Sequence, residues 1–260
     1  MSLDTTLAFD IETLPDIEGG RRLYGLEGLS DAEVAAAMQQ LRLQARGSDF
    51  LPHHLQRVAA IACVLRSSEG LRVWSLGKPE SDEKELITRF FEGIERYRPT
   101  LVSWNGSGFD LPVLHYRALI QGVSAPAYWD TGRHDREAKW NNYLGRYHER
   151  HTDVMDVLAA YQARAFAPLD EIAQLLGLPG KLGMDGSRVW ESFLAGRIAD
   201  IRNYCETDAL NTYLIYLRFQ HLRGLLGDQA LAEEQALVRK TLKAAGQPHL
   251  QAFLDAWPTH

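Results

Sequence analysis

The chemistry of this chain starts with its carboxylates. Asp10 and Glu12 stand two apart in TLAFDIE (6–12), a run of apolar and β-branched residues that reads as a short buried strand. Strand side chains alternate faces, so both acids point one way and Ile11 the other. Two carboxylates on one face of an apolar strand are costly unless paired or bound to a cation; the alternative is a strand end turned to solvent. A second group is Asn105-Gly106-Ser107-Gly108-Phe109-Asp110, which follows the strand TLVSW and precedes a helix. Its glycines let the backbone turn tightly beside a ligand. Asp110 is either a further cation-binding carboxylate or a cap for the helix starting at Leu111. The third group is Tyr204-Cys205-Glu206-Thr207-Asp208 in a long helix, where Tyr204 and Asp208 share a face. With Asn211 they form a polar stripe beside the apolar one of Leu210, Leu214 and Leu217. A phenol next to a carboxylate is either part of a site or a hydrogen bond at the edge of the core.

These groups need a scaffold. Residues 57–66 and 71–76 read as two further strands split by a Ser-Ser-Glu-Gly turn, and 100–104 as a fourth. Between the first two strands lies an insertion, about 15–56, in which Ser30 and Glu33 form a capping-box pattern for one helix. Helical spacing recurs over 82–98 and 110–122, then at 169–177, 187–195 and 197–221; between them 154–161 has apolar spacing, with Asp153 and Asp156 on or near a strand. The tail, 228–256, reads as one or two more helices. Strands cluster early and helices follow, which predicts a mixed α/β core with a helical C-terminal third in one domain spanning 1–260.

At about 5% usage per residue, D-x-E or Y-x3-D each arises by chance about 0.7 times in such a chain and N-x3-F-D about 0.03 times. All three in order, each on a suitable element, is a far rarer event. The set resembles the proofreading 3′–5′ exonuclease domain of family B DNA polymerases, within the DEDD superfamily. The matching residues are Phe9-Asp10-Ile11-Glu12, then Asn105, Phe109 and Asp110, then Tyr204 and Asp208. The tyrosine marks the DEDDy branch. The resemblance spans about 6–220 and is closest to stand-alone PolB-like exonucleases. It implies a ribonuclease H-like mixed five-stranded sheet flanked by helices. It further implies that Asp10 bridges two metal ions, that Glu12 and Asp208 help hold the ion activating water, and that Asp110 acts mainly on the second. Tyr204 would orient the water, and Thr13, Leu14, Asn105 and Phe109 would contact the strand. The product would be a 5′-mononucleotide.

The donor chemistry agrees independently. Asp10, Glu12, Asp110 and Asp208 offer oxygen ligands without thiolate or clustered imidazole, which suits two Mg²⁺ or Mn²⁺ and argues against zinc. Two such ions can clamp the attacking and leaving oxygens of a phosphodiester. They also let a chain of net charge −6 accept a polyanion. The stretch 128–151 interleaves Tyr128, Trp129, Trp140, Tyr143 and Tyr147 with five basic and four acidic side chains, and is either a substrate channel or a cover over the core. Lys181 and Arg188 flank a glycine-rich loop that either reaches phosphate or is a surface turn. His115, His134, His148 and His151 have no HxH or HxxxH spacing, and no second metal site is expected from them. Asp153 and Asp156 read as supporting residues or caps, and Cys205 as packing inward.

Composition is that of a globular chain, 45% apolar and 24% charged. There is no run long enough for a membrane span, no signal-peptide pattern and only two cysteines, so a reducing cytoplasm is expected. The expected partner is single-stranded DNA. The same chemistry on RNA and a non-catalytic nucleic-acid-binding module are the alternatives.

Overall fold

In a computed structural model the protein forms a five-stranded sheet of order β3-β2-β1-β4-β5. The structure describes residues 5–258, so the first four residues of the N-terminus read above and the last two of the tail lie outside it. The strands are β1 (Thr6–Pro15), β2 (Gln56–Ser67), β3 (Gly70–Ser75), β4 (Thr100–Ser103) and β5 (His151–Asp153). β1 is central, antiparallel to β2 and parallel to β4; β2 pairs antiparallel with β3, and β4 parallel with β5. The mixed sheet expected from the resemblance is therefore present.

Alternation along the strands divides the core. Leu7, Phe9, Ile61, Cys63, Leu65 and Leu101 pack on one side against α3 (Glu83–Tyr97) and α4 (Asp110–Gln121). Ala8, Ala60, Ala62, Val64 and Val102 face α8 (Ile198–Leu222), the long helix expected at 197–221. Asp10 and Glu12 share the parity of Ala8 and stand opposite Ala62 and Ala60 in the register. Small partners leave room for two carboxylates beneath a helix that runs close over the sheet. β4 pairs with β1 only over Thr6–Ala8, so the remainder of that β1 edge is left to groups other than a strand.

The insertion contains α1 (Ile17–Tyr24) and α2 (Asp31–Arg46) and closes with a 3-10 turn, His53–Leu55. The expected capping box is made: Glu33 accepts from the Ser30 amide at 2.8 Å. α1 goes beyond the one helix expected there, because Gly19 and Gly20 lower its propensity. Gly20 nonetheless lets α1 approach α2 closely, since a Cβ there would press on the Met38 side chain. Val34, Met38, Leu51 and Leu55 form a small core of the insertion's own. Downstream, α5 (Val154–Leu158), α6 (Leu169–Leu175) and α7 (Val189–Leu194) precede α8, and the tail forms two helices, α9 (Asp228–Ala245) and α10 (Pro248–Ala256). Among the described residues no helix is long and apolar enough to cross a membrane.

Candidate active site

β1 and α8 meet at the carboxylates. One ligand oxygen each from Asp10, Glu12 and Asp208 lies within 4.8 Å of the others, although Asp208 is nearly two hundred residues from the first two. Glu12, Asp110 and Asp208 are buried, and Asp10 is partly open. Asp110 joins them from the other face of the sheet. It is the first residue of α4, whose N-cap is Phe109, so it does not cap the helix. Its Oδ1 instead accepts from the Ile11 amide at 3.2 Å, on the strand residue between the two acids. The three sequence groups thus converge.

Burial and mutual repulsion mark the cluster. Burial first, then the charges of neighbouring carboxylates, hold Asp10 and Glu12 well above the usual carboxylate range. Burial raises Asp110 to about 7, against the backbone amides it accepts from. It raises Asp208 to about 6, opposed by the hydrogen bond from Tyr204 and the charge of Lys181. Tyr204 is pushed up as well, by burial and by the acids around it, so its phenol keeps its proton and acts as a donor.

A cation fits this set. Asp208 Oδ1 is buried with no hydrogen-bond partner, an orphaned acceptor of the kind a metal satisfies. All the donors are carboxylate oxygens, the ligand chemistry of Mg²⁺ or Mn²⁺. Among the described residues no histidine joins the group.

Metal binding should therefore follow pH in a defined direction. Asp110 and Asp208 titrate higher in the fold than in the unfolded chain, so the metal-free fold binds extra protons. Their stabilising contribution is complete below about pH 4 and is lost as pH rises through 6 and 7. Deprotonation is also what a cation requires. We expect Mn²⁺ at about a hundred times its Kd at pH 8 to add about 2.7 kcal/mol, or roughly 5–10 °C in Tm, at that pH, and the same concentration almost nothing at pH 5, where protons hold the carboxylates. Thermal melts with Mn²⁺ or EDTA at both pH values check this; equal gains at both would contradict it.

Several residues around the acids, some of them open alternatives in the sequence, take supporting positions. Asp153 Oδ1 accepts from the Asn105 amide (3.0 Å) and Oδ2 from the Ser107 amide (2.8 Å), which shapes the loop leading to Asp110. Asn105 itself has φ 64°, a left-handed conformation that asparagine tolerates. Ser103 and His151 bond at 2.8 Å beneath Gly106, where a Cβ would strike Ser103 Oγ. Cys205 is buried as expected but also donates from Sγ to the Asp10 carboxylate at 3.4 Å. Lys181 lies with Nζ 5.8 Å from the Tyr204 ring centroid, and its charge lowers the pKa of both Glu12 and Asp208. Its loop is anchored by Asp170, which accepts the Lys181 amide at 2.7 Å, and by Asn211, which donates to the Gly180 carbonyl at 2.9 Å. The Lys-Gly composition of that loop was the available signal.

The residues expected to contact a strand are placed less uniformly. Thr13 donates to Gln56 at 3.0 Å, and Leu14 is fully buried in the core shared with α8. Phe109 is half-buried, 5.6 Å from Phe50 and 5.7 Å from His53 of the insertion. His53 Nε2 also bonds the Gly108 carbonyl at 2.9 Å, so the insertion braces this loop. In 128–151, Tyr128 and Tyr143 are buried and stacked, whereas Trp140 and Tyr147 are exposed.

Polymerases of several organisms are similar to this chain. The epsilon DNA polymerase catalytic chain of Saccharomyces cerevisiae is 26% identical over 147 residues, covering 55% of this chain and 6% of that protein. A DNA polymerase of Archaeoglobus fulgidus is 26% identical over 137 residues, 52% of this chain and 17% of that one. The chain thus spans a small part of the length of these relatives. The family B DNA polymerase of Pyrobaculum calidifontis shares the fold, with a TM-score of 0.51 and 19% identity over 93% of this chain and 29% of that one. Residues 48–257 match a family described as "Predicted 3'-5' exonuclease related to the exonuclease domain of PolB". That stretch holds Asp110, Tyr204 and Asp208 and begins after β1. With four-fifths of its length so matched, the chain belongs to this family of predicted 3′–5′ exonucleases.

Proposed function

We propose that the chain removes nucleotides one at a time from the 3′ end of single-stranded DNA, hydrolysing phosphodiester bonds to release 5′-mononucleotides. The observation that carries this reading is the approach of Asp10, Glu12 and Asp208 oxygens to within 4.8 Å, with Asp110 bonded to the strand between them. Asp10, Glu12, Asp110 and Asp208 would hold two Mg²⁺ or Mn²⁺, which supply charge neutralisation and a water of lowered pKa for in-line displacement.

The remaining roles belong to the chain's own groups. Tyr204 keeps its proton and donates it to Asp208; with a cation on that carboxylate, the same O–H would turn to orient the attacking water. It does not serve as the base, because its pKa is raised. Lys181 offsets negative charge where the phosphate approaches the carboxylates. Asp153 fixes the loop so that Asn105 and Phe109 stay in place against the strand. Thr13 lies just past Glu12 on β1, where the terminal nucleotide is expected, whereas the Leu14 side chain is buried in the core and does not reach it. The polymerase relatives support DNA as the substrate.

The test uses single-stranded DNA and RNA of the same sequence, labelled at either end, with Mn²⁺ or EDTA. The expected result is metal-dependent release of single nucleotides from the 3′ label of DNA, with RNA slower. Full activity in EDTA would overturn the reading, and so would internal cleavage.

A further inference from the structure

A cavity of about 650 Å³ opens beside the site and runs along the free edge of β5. At one end its wall is the Asn105–Gly108 loop that carries Asp110; at the other it reaches Arg223 at the end of α8. It is large enough for a nucleotide-sized group, and the hydrolytic chemistry above makes no use of it.

Its charges are already satisfied. Arg146 pairs with the buried Asp156 at 2.8 Å, and Arg223 with Glu149 at 2.7 Å. Asp153 is taken up by three backbone amides. Burial lowers both His115 and His151 to about 4, and their Nε2 atoms bond Tyr128 and Ser103. His148 accepts the Asn142 amide at Nδ1 (3.1 Å), which places its proton on Nε2 as a donor. A phosphate would find no free cation among the described residues here. A planar, uncharged heterocycle would find hydrogen-bonding groups and aromatic faces.

The mouth is aromatic. Tyr147, 76% exposed, stands edge-on to Tyr161 at 5.0 Å, and Arg146 lies over the Tyr161 ring at 4.9 Å. Tyr161 and its neighbour Ala160 both hold left-handed φ values, 60° and 49°, a conformation that non-glycine residues keep only where surrounding structure imposes it. That backbone sets the Tyr161 ring at the opening.

We propose that this cavity is a nucleobase pocket, taking one upstream base of the strand whose 3′ end lies at the carboxylates. The inference rests on the exonuclease reading for the direction of the strand, and on the cavity's neutral, aromatic lining for the class of ligand. Stacking on an aromatic face is tolerant of base identity, so the pocket selects for the presence of a base.

The test walks a single abasic residue along a labelled oligothymidylate and measures binding to the Asp10→Asn protein by fluorescence anisotropy. The expected result is one position, within about five nucleotides of the 3′ end, where the missing base weakens binding roughly 10-fold. Val157→Trp, which fills the cavity, should flatten that position. Tyr147→Ala alters only an exposed ring, so it serves where the tryptophan variant does not fold, and should cut the penalty to about threefold. A wild-type protein that releases nucleotides, paired with a flat scan, overturns the pocket and leaves the nuclease reading standing. A position-dependent scan in a protein that releases none keeps the pocket and removes the nuclease reading.

Discussion

Asp10→Asn will lower release of nucleotides from 3′-labelled DNA by about a thousandfold or more and, in the same protein, raise the Tm measured in EDTA. The first effect follows from the loss of a ligand at the centre of the cluster. About 4 kcal/mol of transition-state stabilisation, the upper range for one well-placed electrostatic group, corresponds to three decades in rate. The second follows from burial. Asp10, Glu12, Asp110 and Asp208 raise one another's pKa or share the same desolvation, so their ionised forms oppose folding when no cation is bound. An isosteric amide removes one of those charges without opening a cavity. Activity and stability should move in opposite directions, which separates a metal-holding carboxylate from a structural one. Asp228→Asn, at a fully exposed position on α9 where the carboxylate faces His221 at 3.6 Å, should leave activity unchanged and lower Tm slightly rather than raise it. Loss of activity together with a lower Tm in EDTA would place Asp10 in the framework instead.

Arg117→Leu should have the largest effect on stability of any single charged residue. Arg117 lies on α4 at 2% exposure and holds both Glu83 oxygens, from Nε at 2.7 Å and from a terminal nitrogen at 2.6 Å. Its other terminal nitrogen reaches Asp16, which also caps α1. Glu83 in turn accepts the Val58 amide at 2.8 Å. One guanidinium therefore ties the helix bearing Asp110 to the chain just beyond β1 and to the start of β2. Its removal leaves two carboxylates largely buried and unpaired, a loss of about 3–5 kcal/mol. Urea denaturation at neutral pH measures it. Arg117→Lys, which keeps the charge and gives up the planar fork, should recover part of the loss. A change below about 1 kcal/mol for Arg117→Leu would mean that water replaces the network.

Much of the site was legible from local rules. Strand alternation put Asp10 and Glu12 on one face, helical spacing put Tyr204 with Asp208, and the Ser30–Glu33 box located α2, because each depends on neighbours a few residues away. Asp110 was not decidable that way. A cap and a site carboxylate look identical in sequence, and the choice turns on β4 pairing with β1 only as far as Ala8, which leaves the Ile11 amide open to Asp110. The same holds for Asp153, which reads as a supporting residue or a cap: it caps α5, and it becomes the anchor of the Asn105 loop only when β5 lies beside β4. Leu14 is the reverse case: motif position points it towards a ligand, and packing buries its side chain completely.

Residue types and short-range spacing were sufficient to pick out the side chains that converge at the candidate site and the elements that bear them, since backbone periodicity is a local property. Long-range packing alone decided that an alanine-lined sheet face admits α8 close enough for Asp208 to meet Asp10 and Glu12, that Lys181 and Cys205 border the same acids, and that a neutral aromatic cavity opens next to them. Those placements depend on contacts between segments far apart in the chain, and such contacts exist only once burial of the whole core has outweighed the entropy of ordering it.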